Sequence, residues 1–126
     1  LRRKNAGRLN GAMHVLTRRA LSMMTDAPHL DRDLLARKLR ASPFALSRYF
    51  HHDVGMTLVK YRTRLRLLRF IRLVDHGNEN LAAAANTAGF GSYSQCHRVF
   101  QAELGCAPRQ FFSSGLRQQM QWAYEP

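Results

Sequence analysis

The sequence predicts an all-α protein: seven helices in two helix-turn-helix subdomains joined by a long linker helix. Three observations carry this prediction. Apolar residues recur at three- and four-residue steps, and no segment alternates with a period of two. Helix-starting residues (Asp31, Ser42-Pro43, Asn80, Ser92, Pro108) and helix-stopping glycines (Gly55, Gly77, Gly89) punctuate the chain at helix-length intervals. Finally, the stretch beginning at Ser42 recurs fifty positions later.

From about Arg8 to Met24, one stripe holds Leu9, Ala12, Met13, Leu16, Ala20, Met23 and Met24, so a first helix is expected to end near Asp26-Ala27-Pro28. Asp31 offers an oxygen to the open amides of a short second helix, Arg32 to Leu39. Ser42 and Pro43 start a third, with Leu46, Tyr49 and Phe50 inward and Gly55 beyond its end. The longest helix follows Thr57 and runs to Asp75. Its apolar residues are Leu58, Tyr61, Leu65 and Leu68, then Phe70, Ile71, Leu73 and Val74. Asn80 caps a fifth, alanine-rich helix, Ser92 a sixth reaching about Ala102, and Pro108 opens a seventh. These elements divide the chain into a flexible N-terminal segment 1–7, a first subdomain 8–56, the linker helix 57–76, a second subdomain 77–113 and a tail 114–126.

A shift of 50 aligns Ser42 with Ser92, Arg48 with Arg98, Phe50 with Phe100 and Gly55 with Gly105, and keeps Leu46/Cys96, Val54/Leu104 and Tyr61/Phe111 apolar. With common residues at roughly 5–7% usage, chance supplies about one identity in such a window. Upstream, Ala36 meets Ala85 only at a shift of 49, a slip of one residue. Each unit has the size and turn of a helix-turn-helix, in which one helix braces a second whose outer face enters the major groove.

The residues of the second unit, Gly89-Phe90-Gly91-Ser92 through Arg98-Val99-Phe100, then Gly105 and Pro108 with Phe111, resemble the AraC/XylS family of bacterial transcription regulators. Ser42, Leu46, Arg48, Phe50, Gly55 and Tyr61 look like the first-unit counterpart, and Arg66-Leu67 with Leu73-Val74 is similar to the linker-helix pattern. The resemblance covers about Leu9 to Phe112. It implies double-stranded DNA as partner, transcription activation through RNA polymerase, and base readers on the third and sixth helices. It also implies a bacterial, cytoplasmic, nucleoid-associated protein. The chain does not begin with methionine, and a C-terminal fragment of a longer regulator is expected, with any effector or dimerisation domain outside it. Phe70 replaces the family's usual small residue, and Cys96 a larger core residue.

The same faces follow from geometry. With Leu46, Tyr49 and Phe50 inward, helical spacing turns Phe44, Ala45, Ser47, Arg48 and His51 outward. With Cys96, Val99 and Phe100 inward, Tyr93, Ser94, His97 and Arg98 face out. Arginine pairs bidentately with guanine, serine and histidine reach base edges or phosphate, and an aromatic edge packs on a thymine methyl. Base readout is therefore assigned to Phe44, Ala45, Ser47, Arg48, Tyr93, Ser94, His97 and Arg98, and phosphate contact to Ser42, Ser92 and His51. A lone exposed arginine is ordinarily a solvated charge; it is the matched pair that points to reading. A linker from Leu58 to Asp75 would be about 27 Å long, near the roughly 34 Å turn of B-DNA, so two dissimilar boxes on successive major-groove segments are expected.

Composition bounds the alternatives. Lysine and arginine number 20 against 8 acids, a net charge of +12, which calls for an anionic partner. Lys60, Arg62, Arg64, Arg66, Arg69 and Arg72 lie on the long helix with no acid between Val54 and Val74, forming either a phosphate-attracting surface or a merely solvated one. The longest apolar run, Leu81 to Ala85, falls far short of a membrane span, and the start carries no apolar signal segment. Two cysteines and six histidines lack ligand spacing, so no metal or cofactor is expected. No phosphate loop, nucleophile elbow or paired carboxylates point to an enzyme. A non-specific nucleic-acid or nucleoid protein and, more remotely, the DNA-binding part of an alkyl-repair protein are the competing readings.

Overall fold

A computed structural model describes residues 13–77 and 80–113; the expected N-terminal segment 1–7 and tail 114–126 lie outside the described residues. Seven helices and no strands occur among the residues described: α1 Val15–Asp26, α2 Arg32–Lys38, α3 Pro43–Val54, α4 Leu58–His76, α5 Leu81–Ala88, α6 Tyr93–Leu104 and α7 Pro108–Ser113. The chain divides into two compact units between Arg62 and Thr63, inside α4.

In the first unit, α1 and α2 pack on α3. Ala20, Met24, Leu35, Ala36, Leu46, Phe50 and Leu58 are shut from solvent, and each large side chain so buried contributes about 1.5–3 kcal/mol. The first helix starts later than its stripe implies. Arg8 to Ala12 fall outside the described residues, and Met13 and His14 are not helical. His14 is extended, and its Nδ1 accepts the Leu16 N–H at 3.0 Å, so this side chain caps α1.

The second unit packs α5 on α6 and α6 on α7 around Leu67, Phe70, Ile71, Ala84, Ala85, Ala88, Phe90, Cys96, Phe100, Leu104, Cys106 and Phe111. Alanine on the inner face of α5 leaves room for rings. Phe100 meets Phe70 edge-on at 5.8 Å and Phe111 at 5.3 Å between centroids, and Phe70 meets Phe112 at 6.0 Å. The large Phe70 is thus accommodated as a central member of the core. On α4 the expected stripe is only partly buried: Tyr61 and Leu65 are half-exposed, whereas Leu67, Phe70 and Ile71 are fully enclosed. The helix serves one core with its first turns and another with its later ones, so no single straight stripe describes it.

The repeat is structural as well as sequential. Asp31 and Asn80 cap α2 and α5 through the N–H groups three residues on, both at 2.8 Å. Beyond each helix, Arg40 N–H donates to Arg37 and Ala41 N–H to Ala36, just as Gly89 N–H donates to Asn86 and Phe90 N–H to Ala85. Ser42 and Ser92 then cap α3 and α6 at 3.0 and 3.1 Å, and both helices end at left-handed glycines, Gly55 and Gly105. The ring pair repeats too, Phe50 against Tyr61 at 5.5 Å and Phe100 against Phe111 at 5.3 Å. The slip from 49 to 50 lies in the turn, where Gly91 is the additional residue. Its N–H donates to Gln95 Oε1 at 3.2 Å, while the Gln95 N–H donates to Ser92 Oγ, a reciprocal cap.

Arg40 holds φ at 55°, where its counterpart Gly89 holds 110°. A side chain in that region costs about 1–2 kcal/mol, partly offset in glycine by lost backbone entropy. Arg40→Gly is therefore expected to stabilise the first unit by about 0.5–1 kcal/mol, measured as a raised denaturation midpoint. Phe100→Ala should cost about 3–5 kcal/mol; an unchanged melting temperature would remove Phe100 from the core.

Candidate nucleic-acid interface

The first candidate reader is α3. Ser42 caps it, Pro43 occupies its first turn, and burial of Leu46, Phe50 and Asp53 sets its rotation. Phe44 is consequently 71% exposed, the Arg48 guanidinium sits 5.8 Å from the Phe44 ring centroid, and His51 is exposed. Phe44 and Arg48 stand four residues apart on one face, where cation and ring attract and restrain one another. Ala45 and Ser47, expected to face outward, are only half-exposed, because they flank Leu46 and lie at the edges of the buried face. Phe44, Ser47, Arg48 and His51 line one groove with Arg32, His52, Thr57, Leu58 and Val59, a set that sequence reasoning did not single out.

Two further polar residues were missed. Asp53 Oδ2 accepts from the Thr17 hydroxyl at 2.7 Å and from the His14 backbone N–H at 3.0 Å. Thr17 is fully enclosed and Asp53 nearly so, so the start of α1 is clamped to the end of α3 by a charge-assisted pair. Both occupy apolar-stripe positions, Thr17 four residues after Met13 and Asp53 three after Phe50; polar residues at core spacing were the available signal. Tyr49, expected inward, is instead 37% exposed and stacks on the His14 ring at 3.7 Å. The inward place beside Phe50 belongs to Asp53.

The second candidate reader is α6, rotated by inward Cys96, Phe100 and Leu104. Ser94 and Arg98 are exposed and His97 half-exposed. Tyr93, expected outward, is half-buried against the core and meets the His97 ring edge-on at 6.0 Å. It is the first helical residue, matching Pro43, and a ring there leans back over the turn. Ser42 and Ser92 are both exposed, with their Oγ atoms already accepting a helix amide; a phosphate at either would take the hydroxyl proton. Burial pushes the Cys96 thiol up to about 12.

The basic run on α4 is not one surface. Lys60, Arg64 and Arg72 are exposed, Arg62 and Arg69 are intermediate, and Arg66 is buried. Burial lowers the Arg62 pKa while the Asp31 carboxylate raises it. Among the described residues no helix is long and apolar enough to cross a membrane, and no group of three metal-ligating side chains converges.

Two short capped helices, each braced across a tight turn by a preceding helix and each turning an arginine outward, define a tandem helix-turn-helix DNA-binding domain. A family profile described as "Helix-turn-helix domain" matches residues 35–114. The chain is similar to the HTH-type transcriptional activator RhaS of Citrobacter koseri, 31% identical over 75 residues, or 60% of this chain and 27% of the relative. It is also similar to RhaS of Escherichia fergusonii, 27% identical over 78 residues, or 62% of this chain and 28% of that protein. It thus spans little more than a quarter of the length of these curated relatives. The chain belongs to the AraC/XylS-type family of helix-turn-helix DNA-binding domains.

Two consequences are measurable. Asp53→Ala strands two donors and should cost about 1.5–3 kcal/mol in denaturant unfolding; a loss within error would show the clamp to be idle. The Cys96 thiol ionises near 12 when folded against an ordinary 9.0. Its contribution is therefore fully present below pH 9 and declines as the pH rises from about 9 towards about 12. Iodoacetamide at pH 8 should label Cys96 only as fast as the second unit opens, so a rate independent of added denaturant would contradict its burial.

Proposed function

We propose that this domain reads a specific duplex sequence, with α3 and α6 each entering a major-groove segment, and that it regulates transcription by placing its parent protein at that sequence. The observation that carries this reading is the matched pair Arg48 and Arg98, on helices with the same cap, the same buried phenylalanine and the same terminal glycine. Base readout is assigned to Arg48, Ser47 and Phe44 on α3, with Ala45 at the margin, and to Arg98, Ser94 and His97 on α6, with Tyr93 beside them. Ser42, Ser92 and His51 are assigned to phosphate. Because the outer faces differ, the two boxes differ and the site has no required palindrome; the reading of two successive segments rests on the tandem repeat within one chain. The relatives are transcriptional activators, which supports activation as the mode of regulation; contact with RNA polymerase in a bacterial nucleoid is what the family resemblance implies. Effector binding or dimerisation belongs to the remainder of a longer chain, as the relatives' length suggests.

A second reading, a nucleic-acid binder driven by charge alone, is favoured by the net charge of +12. Selection of bound sequences from a random duplex pool separates the two. A specific reader should enrich two unlike short boxes and bind them about 10³ to 10⁷ times more tightly than random duplex; equal affinity for both would leave charge as the explanation. Arg98→Ala should cost about 1–3 kcal/mol and relax preference at one base position. Equal loss on every sequence would make Arg98 a phosphate contact.

A further inference from the structure

A groove runs beside α3. It has a volume of about 680 Å³, and its lining includes Phe44, Ser47 and Arg48 from the outer face of α3 and Leu58 and Val59 from the start of α4. Two chemical features coincide there. Phe44 at 71% and Val59 at 47% are two of the five large hydrophobic residues exposed in the described chain, so the floor presents carbon to solvent. Around it stand Arg32, Arg48, His51 and His52, with no acid among the lining residues. The geometry points to a strand cleft: this groove holds the sugar-phosphate backbone of one DNA strand, deoxyribose carbons against the exposed Val59 and phosphates against Arg32 and His52. The inference rests on the reading that α3 faces DNA, and it adds Arg32, His52 and Val59 to the interface.

A ligand matching this lining must alternate apolar and anionic groups over the length of the groove. A nucleic-acid backbone does so, and it reaches the cleft without leaving the face that carries Phe44 and Arg48. An acidic protein helix would satisfy the same charges only by covering those two side chains, in competition with the bases assigned to them. Arg32 Nε lies 3.4 Å from Asp33 Oδ1 with both side chains substantially exposed; such a pair is held weakly and exchanges readily for a phosphate. The cleft is particular to the first unit. At the shifts that align the repeat, Leu81 stands for Arg32, Ala102 for His52 and the exposed Arg109 for Val59, so the second unit lacks these two cations and the apolar Val59, and carries a different cation in its place.

The test uses the full chain with Arg32→Ala, His52→Ala, Val59→Glu and Val59→Lys, each checked by thermal melting. Val59 is exposed, so its replacements leave the core intact. Binding is measured across a salt series on a selected duplex and on a random one. Arg32→Ala should weaken both duplexes by the same factor and make log Kd less steep in log salt by about 0.9, one phosphate's worth of released counterion. His52→Ala should weaken both duplexes equally. Val59→Glu should weaken both by about tenfold and Val59→Lys should strengthen both, because the charge is placed beside a phosphate. If the two Val59 replacements bind like the parent, or the Arg32→Ala slope is unchanged, the strand cleft is wrong. Loss of poly-glutamate binding with DNA binding intact would give the groove to an acidic protein and overturn the inference equally. If the parent binds both duplexes alike, sequence reading fails, while the slopes on random duplex still decide the cleft.

Discussion

Burial of one phenylalanine in each of α3 and α6 is the constraint from which the outward faces of these candidate reading helices follow. Phe50 and Phe100 are fully enclosed, each with a ring from the next helix edge-on against it, Tyr61 in one unit and Phe111 in the other. At 100° per residue, a side chain two positions earlier on an α-helix lies about 200° around from the buried one. Sinking Phe50 therefore turns Arg48 to solvent, and sinking Phe100 does the same for Arg98. Aromatic rings bury a large area and prefer edge-on neighbours, so the rotation of each helix is held by the strongest apolar contact available to it.

The remaining devices set where each helix begins and ends. A serine oxygen takes an amide three residues on, a left-handed glycine closes the far end, and the helix before each reader terminates in one more positive-φ residue. The two units solve that last requirement differently. Gly89 accepts the conformation freely, whereas Arg40 accepts it against its own side chain, in a turn one residue shorter. The first unit also clamps its reader from outside the helix-turn-helix, through Thr17 and the His14 backbone on Asp53 and through His14 stacked on Tyr49. These two polar contacts join the start of α1 to the reader and are invisible in an apolar count.

The two units differ in the outer faces of their capped helices. Phe44 and Arg48 form one exposed pair, while the second unit offers Ser94 and Arg98 with His97 beside Tyr93. The same frame thus presents an apolar, cationic face once and a polar one once. The basic groove between α3 and the start of α4 widens this asymmetry, since Leu81 and Ala102 stand in the repeat where the groove has Arg32 and His52.

Six helix starts, the all-helical class, the tandem repeat and the outward arginines were legible in the residues, because caps, glycine stops and helical periodicity are local effects that act through a few neighbouring positions. The inward place of Asp53, the exposure of Tyr49 and the half-burial of Tyr93 were not. Each depends on what lies opposite: a threonine on another helix makes a buried carboxylate affordable, and a histidine ring gives a half-exposed tyrosine a partner. The late start of α1 has the same origin, since His14 is clamped by Asp53 thirty-nine residues away. The cleft at Val59 appears only when α2, α3 and the start of α4 are brought together. Local chemistry wrote the helices and their registers; long-range packing chose which polar groups go inside and which apolar ones stay out.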